Sequence, residues 1–239
     1  MSANNDMSAN NDMSDTISND PVGIHTVSDD AVSRDQDQYM AGLIDAQLHV
    51  SLAKNQSIRA MLTSNDPRVA EELSAKFRPT RITIVKRPGK KDLCTILFTG
   101  DRVEDLVTFA AQHCVVKQDL AKKTLDILKN GGGDLQYAMN ENLDDISLDW
   151  ASGYFDVRGI VQQPVPATET TKRKRGNVKV VLPKAERFVL PALQRVLHGR
   201  VKKNSPCRLV YDTKDTIRQF LSTVDGHVRA KKDDLLTVL

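Results

Sequence analysis

The strongest constraint on the fold is an internal repeat: the second half of the sequence restates the first. Gly42 and Asp45 recur as Gly153 and Asp156, each 111 residues further on. The later matches pair Cys94 with Cys207 at a spacing of 113, and His113, Lys117 and Asp119 with His227, Lys231 and Asp233 at a spacing of 114. Because the order is kept and the spacing drifts by only three residues, the pattern indicates two copies of one unit of about 100 residues.

Hydrophobic periodicity predicts the same plan for both copies. The first unit, residues 34–129, is predicted to contain helices at 34–46, from Ser64 or Asp66 to 77, at 101–112 and 117–129, and strands at 48–54, 58–63, 81–87 and 93–99. The second, residues 143–239, is predicted to contain helices at 143–156, 184–198, 214–223 and 229–239, and strands at 158–163, 177–183, 200–203 and 207–212. Three glycines at 131–133 mark a linker over residues 130–142. The predicted fold is α/β of the α+β type, two αββαββα units.

Residues 1–33 differ from the rest. They begin with two copies of the polar hexamer MSANND and cannot bury enough apolar surface to offset the entropy of ordering, so we expect a disordered acidic tail. Residues 1–38 carry eight Asp against Arg34, a charge of −7, and because the whole chain carries +3, residues 39–239 carry +10. A solvated tail is the simpler interpretation. The alternative is an acidic arm that mimics DNA and competes for the basic surface.

Several classes of protein are disfavoured. The sequence has no apolar run of about 18 residues and no basic-then-apolar start, so we expect neither a membrane span nor a secretory signal, and an intracellular location. Cys94, Cys114 and Cys207 are odd in number and lack C-x-x-C spacing, which argues against a disulfide framework and a zinc site. The sequence contains no G-x-S-x-G motif, phosphate-binding loop or dinucleotide fingerprint.

Two nine-residue segments carry a resemblance to a known family. MAGLIDAQL, residues 40–48, resembles the signature of the LAGLIDADG homing endonucleases and intron maturases, and ASGYFDVRG, residues 151–159, is a weaker copy that keeps Gly153, Asp156 and Gly159. The resemblance covers about residues 36–239. It implies that the two signature helices pack together across a pseudo-twofold axis. It also implies that two antiparallel sheets form a saddle, and that the single chain is a monomer.

The same resemblance implies a metal site and shows where this sequence departs from it. In the family, the eighth letter of each motif is an acid that holds divalent metal for phosphodiester hydrolysis. Here the eighth letters are Gln47 and Arg158. The sixth letters, Asp45 and Asp156, are retained, but the resemblance gives them a structural role more than a catalytic one. We therefore assign no metal ligand and no cofactor, with magnesium implied only if the protein cleaves.

Two lysines complete the set of candidate catalytic residues. Lys117 and Lys231 match the basic residue that such enzymes often keep beside the metals. A solvated helix face is the equal alternative for each lysine.

The basic charge of residues 39–239 favours a nucleic acid as the ligand. The sheets that the resemblance implies suit this ligand, because β-ribbons fit a major groove. Candidate contacts on the first sheet are Lys54, Gln56, Arg59, Arg81, Lys86, Arg87, Lys90 and Lys91; those on the second are Gln162, Lys172, Arg173, Lys174, Arg175, Lys179, Lys202 and Lys203. The run 172–175 is expected to cap a hairpin and reach phosphates, with a nuclear localisation signal or a solvated turn as alternatives. Aromatic residues make up only 5% of the chain, which disfavours single-strand recognition by stacking.

Three functions follow. The favoured one is a double-stranded DNA-binding protein with lost or impaired metal-dependent cleavage. The alternatives are an active endonuclease, and an RNA-binding maturase or component of an RNA–protein assembly.

Overall fold

A computed structural model describes residues 29–53, 57–89, 91–135, 139–140, 143–163, 176–182, 186–202 and 206–238. Most of the expected disordered tail lies outside these residues. The linker predicted over 130–142 is described only in part. In the part of the chain that is described, no helix is long and apolar enough to cross a membrane.

The first unit consists of two helix–strand–strand sets followed by two helices. The elements are α1 (Asp29–Gln47), β1 (His49–Leu52), β2 (Ile58–Ser64), α2 (Pro67–Phe77), β3 (Arg81–Val85), β4 (Leu93–Thr99), α3 (Asp101–His113) and α4 (Gln118–Asn130). Asp66 caps α2 by accepting a hydrogen bond from the Arg68 backbone, with Pro67 as the first helical residue. This confirms one of the two starts that the sequence allowed for that helix.

The second unit repeats this order. Its elements are α5 (Leu148–Arg158), β5 (Gly159–Gln162), β6 (Asn177–Leu182), α6 (Val189–Leu197), β7 (Arg200–Lys202), β8 (Cys207–Tyr211), α7 (Lys214–Val224) and α8 (Lys232–Leu236). Each unit forms a four-stranded antiparallel sheet, in the orders β1-β2-β4-β3 and β5-β6-β8-β7. The identical strand order confirms the repeat and the α+β fold of two units.

Each sheet has one buried and one open face, as alternation along its strands requires. In β2, Ala60 and Leu62 are buried, whereas Arg59 is exposed and Met61 is only partly buried. Their neighbours on β4, Phe98 and Ile96, are also buried. The buried faces pack against the helices, and the opposite faces stay open for a ligand.

Helices α1 and α5 pack together through their glycines. A Cβ placed on Gly42 would lie 2.0 Å from the Trp150 carbonyl oxygen, and one on Gly153 would lie 2.0 Å from the Tyr39 carbonyl oxygen. Both helices are buried around their whole circumference over residues 39–46 and 150–157, which explains why neither segment has the polar stripe of a surface helix. The helix pair is therefore the shared core of the two units.

Several predicted boundaries were wrong. Helix α1 begins at Asp29, not at about residue 34. Helix α5 begins after Ser147, whose hydroxyl accepts from the Trp150 backbone, so that 143–147 is not helical. The helix expected from 184 begins only at Val189. Helix α8 covers Lys232–Leu236 rather than 229–239.

Candidate nucleic-acid interface

Asp45 and Asp156, the acids at the sixth position of the two motifs, have a structural role. Asp45 is fully buried and accepts hydrogen bonds from the backbone of Val115 (2.7 Å) and Lys117 (2.6 Å). Asp156 is equally buried and accepts from the backbone of Arg229, Ala230 and Lys231 at 2.9, 2.9 and 3.0 Å. Burial raises the pKa of Asp45, and the backbone donors oppose this. Each acid thus fixes the loop before the last helix of its own unit and is fully buried.

Each of these acids also binds the opposite signature helix. The Tyr39 hydroxyl of α1 donates to Asp156 of α5 at 2.6 Å, and the Trp150 indole of α5 donates to Asp45 of α1 at 2.8 Å. Tyr39 and Trp150 are themselves 111 residues apart, so the two bonds are related by the repeat. The sequence analysis missed both aromatic residues, although this spacing was a signal that could have identified them.

Gln47 and Arg158, at the eighth position of the two motifs, lie where the signature helices end and the sheets begin. Gln47, the last residue of α1, accepts a hydrogen bond from the Thr63 hydroxyl at 3.0 Å. Arg158, the last residue of α5, places its Nη2 atom 3.3 and 3.2 Å from the two carboxylate oxygens of Glu186. The arginine is therefore held by an internal acid that the sequence analysis did not identify.

Glu186 is the centre of a buried ionic cluster. Its carboxylate accepts from the Tyr154 hydroxyl at 2.7 Å and from the Lys117 ammonium at 3.4 Å, in addition to Arg158. Glu186 is 5% exposed and Lys117 only 1%. The prediction that Lys117 could lie on a solvated helix face is wrong, because this side chain is buried against an acid of the other unit.

Lys231 occupies the matching position near Asp66. Lys231 is 4% exposed, so the solvated alternative is wrong here as well, and burial lowers its pKa to about 8 despite nearby acids. Burial works against ionisation of Asp66, but hydrogen bonds from Arg68 and the charges of Lys231 and Arg68 prevail and lower its pKa. Lys117 thus pairs with Glu186 of the opposite unit, and Lys231 interacts electrostatically with Asp156 of its own unit and Asp66 of the opposite unit.

These residues do not fit a divalent metal. Gln47 and Arg158, at the eighth motif positions, have no carboxylate. The retained acids Asp45 and Asp156 are buried, and their oxygens already accept hydrogen bonds from the protein. Glu186 already faces two cations, and Asp66 is held by two hydrogen bonds from the Arg68 guanidinium at 2.9 and 2.7 Å. Within the described residues, no group of three or more His, Cys, Asp or Glu side chains is placed to hold a metal ion.

A central cleft of about 610 Å³ joins the two units. Gln47 and Arg158 both line it, together with Arg87, Lys91 and Lys231. Arg87 and Lys91 belong to the β3–β4 turn, where the Arg87 guanidinium donates to Asn65 at 2.8 Å and Lys91 lies 3.9 Å from Asp234 of the second unit. The cleft therefore presents cations where the signature helices end.

The strand register places other predicted contacts on the open faces of the sheets. Arg59 and Arg81 lie on the open face of the first sheet, and Gln162, Lys179 and Lys202 on that of the second. Lys86 is exposed just beyond the end of β3. The predicted contacts that lie outside the described residues are Lys54, Gln56, Lys90, Lys172, Arg173, Lys174, Arg175 and Lys203.

The second sheet carries two further cations on its open face. Arg200 and Arg208 share that face with Lys179 and Lys202, as the pairs Arg200↔Val210 and Lys202↔Arg208 show. The sequence analysis missed both arginines, although alternation from Lys202 would have indicated them. Arg200 and Lys202 also pair with Asp212 at the edge of the sheet.

Comparison by sequence finds no matching family model and no significant match among curated proteins. Comparison of structures finds the LAGLIDADG homing endonuclease I-LtrWI bound to target DNA, 13% identical, with a TM-score of 0.61 over 84% of this chain and 87% of that chain. The LAGLIDADG meganuclease I-AabMI bound to uncleaved DNA is 14% identical, with a TM-score of 0.60 over 84% and 87%. The meganuclease I-SmaMI bound to uncleavable DNA is 14% identical, with a TM-score of 0.61 over 84% and 86%.

These likenesses extend over both units. The chain therefore has the two-unit fold of the LAGLIDADG homing endonucleases, as the paired motifs predicted.

Proposed function

We propose that this protein binds double-stranded DNA across its two open sheet faces, and that its metal-dependent cleavage is lost or impaired. The observation that carries the proposal is Arg158 at the eighth motif position, held by the buried carboxylate of Glu186. A permanent cation at this point repels the dication that phosphodiester hydrolysis requires. The same guanidinium can form a charge-assisted hydrogen bond with a DNA phosphate.

The open faces support duplex DNA as the ligand. Residues 39–239 carry a charge of +10, and cations line both the central cleft and the second sheet. Antiparallel strands fit the major groove of a duplex. The structural neighbours I-LtrWI, I-AabMI and I-SmaMI are all bound to DNA with this fold.

The same cluster makes binding independent of magnesium. In a site built from two carboxylates, a metal neutralises repulsion between the acids and the phosphates. Here Lys117 and Arg158 already neutralise Glu186, while Arg68 neutralises Asp66. No uncompensated acid is left in the cleft among the residues described, so a phosphate can approach without a metal.

Both signature helices belong to one polypeptide and cover each other's glycines, so we propose a monomer. Solution scattering from the full chain tests this, and an obligate dimer contradicts it.

A selection from a random duplex pool, with magnesium and with EDTA, tests the function. We expect one motif of about 20 base pairs to be recovered under both conditions without cutting, since phosphate contacts and base contacts here need no metal. Folded RNA added as competitor separates the maturase alternative, because a protein that prefers RNA loses the duplex. Cutting that appears only with magnesium supports the active endonuclease.

A further inference from the structure

The two open sheet faces differ sharply in chemistry. On the first sheet, the row Thr63–Thr95–Thr83 crosses three strands, and the neighbouring row places Met61 beside Leu97. The matching face of the second sheet holds four cations, Lys179, Arg200, Lys202 and Arg208, among the aliphatic side chains of Ile160, Val181 and Val210. The first face is thus richer in hydroxyl-bearing side chains, and the second is richer in cationic hydrogen-bond donors.

The open face of the first sheet is accessible to a ligand. Thr63, Thr83 and Thr95 are partly exposed, as are Met61 and Leu97. Val85, at the inner end of β3, is 47% exposed. Within the described strands, the cations on this face are Arg59, in the outermost row, and Arg81, beside Leu97 in the next row inward. The rows further inward, Thr63–Thr95–Thr83 and Leu93–Val85, offer hydroxyls and aliphatic groups without a cation.

The bases present different chemical groups in the major groove, and the two sheet faces suit different ones. In the major groove only thymine presents a methyl group, which takes apolar contact from aliphatic side chains and from threonine. Guanine presents two acceptors, N7 and O6, which take paired donors from arginine or lysine. These preferences match the first and the second sheet, respectively.

We propose, building on the proposed DNA-binding function, that the two units read their halves of the duplex by different chemistry. The first unit reads a thymine-rich half-site through the methyl groups of Met61, Leu97 and the threonine row. The second unit reads a half-site containing guanine through Lys179, Arg200, Lys202 and Arg208. Sequence discrimination is thus divided between methyl contact in one half and hydrogen bonding in the other.

Base analogues in the selected duplex test this division. Deoxyuridine replaces thymidine with loss of the 5-methyl group alone, and 7-deazaguanine replaces guanine with loss of the N7 acceptor. Each analogue is placed in one half-site at a time, and the affinity of the full chain is measured. We expect uracil to weaken binding about fourfold for each contacted thymine in one half only. We expect 7-deazaguanine to act in the other half only.

A pair of variants assigns the halves. Leu97→Ala removes a contact from the open face, so it should abolish part of the uracil effect and leave the 7-deazaguanine effect unchanged. Ile82→Ala is the matched control: Ile82 is 43% exposed but lies beside buried Ile96 on the opposite face. It should leave both analogue effects unchanged.

The outcomes separate this inference from the proposed function. Failure to bind any duplex contradicts the proposed function itself. Binding with equal uracil effects in both halves overturns the divided readout and leaves the function standing. An analogue profile confined to one half, with Leu97→Ala silent, also overturns it, because the first face then makes no contact with thymine methyl groups.

Discussion

Tyr39 and Trp150, the residues just before the two motifs, link the signature helices by hydrogen bonds. Each donates to a fully buried acid on the other helix, Tyr39 to Asp156 and Trp150 to Asp45. Removing such a donor leaves a buried carboxylate with one partner fewer, which costs about 1–3 kcal/mol.

The variant Tyr39→Phe isolates this contact. We expect its free energy of unfolding to fall by about 1–3 kcal/mol, measured by denaturant titration. Tyr211→Phe is the matched control, because the Tyr211 hydroxyl donates to a neutral acceptor, the Leu197 carbonyl. The control should lose less, and an equal loss in the two variants contradicts the role of Asp156 as the acceptor.

Glu186 is the residue on which two buried cations depend. Glu186→Gln leaves Lys117 and Arg158 without their counter-charge, and breaking a buried ion pair in this way costs about 3–5 kcal/mol. Thermal or chemical unfolding measures the loss. Adding Arg158→Met to Glu186→Gln should recover part of the stability, and additive losses in the double variant contradict coupling between the two residues.

Lys231 makes stability depend on pH. Burial lowers its pKa to about 8 in the folded protein, against 10.5 when it is free. Below pH 8 both states hold the proton, and between 8 and 10.5 only the unfolded state holds it, so raising the pH favours the folded state. We expect the unfolding free energy of the wild type, relative to Lys231→Met, to rise by up to about 1.4 kcal/mol per pH unit in this window. A flat or falling difference contradicts the burial of this charge.

At the residue scale, the sequence indicated which positions matter but not their partners. The departures at Gln47 and Arg158 were visible in the motif. Glu186 could not be assigned, because it lies in no motif and meets Arg158 and Lys117 only when the two units pack. Lys117 and Lys231 end in buried sites for the same reason, since spacing alone does not show what the other unit places above a side chain.

At the scale of elements, the glycines of α1 and α5 set how closely the helices approach. Gly42→Ala places a Cβ 2.0 Å from the Trp150 carbonyl oxygen, a rigid backbone atom. The helices must then separate, and we expect this variant to lose most of its stability in a thermal melt. Ser152→Ala is the control on the same helix pair. Its buried hydroxyl has no hydrogen-bond partner among the described residues, so the change should be neutral or stabilising. A folded Gly42→Ala with unchanged melting contradicts the close packing.

Element boundaries were predictable where a cap or a period marked them. The sequence limited the start of α2 to Ser64 or Asp66, and Asp66 is the cap. The alternation in β2 and β4 located both strands. Residues 143–147 were assigned to a helix because apolar spacing continues through them, yet Ser147 caps the helix and forces a later start. At such points the hydrophobic pattern and the capping residue predict different helix starts, and the helix begins where the capping residue lies.

At the scale of the whole molecule, the repeat predicted two similar units, and the family resemblance predicted two antiparallel sheets. The strand order within each sheet, β1-β2-β4-β3 and β5-β6-β8-β7, came from the structure. The side-chain contacts between the two units could not be predicted from the sequence. The ion pair of Lys117 with Glu186 and the electrostatic interaction of Lys231 with Asp66 both arise from packing between the units. This packing places the cations Lys117, Arg158 and Lys231 at the centre of the molecule.

The most direct test of this account measures the affinity of the wild-type protein for its selected duplex in EDTA and in magnesium, with nicking followed in the same samples. The account predicts equal affinities, within about twofold after matching ionic strength, and no nicking, because Arg158 and Lys117 supply the positive charge at the centre. The double variant Gln47→Asp, Arg158→Asp should instead need magnesium to bind, since it restores two acids that repel the phosphates. Magnesium-dependent nicking by the wild type, with tighter binding in magnesium, would contradict the account.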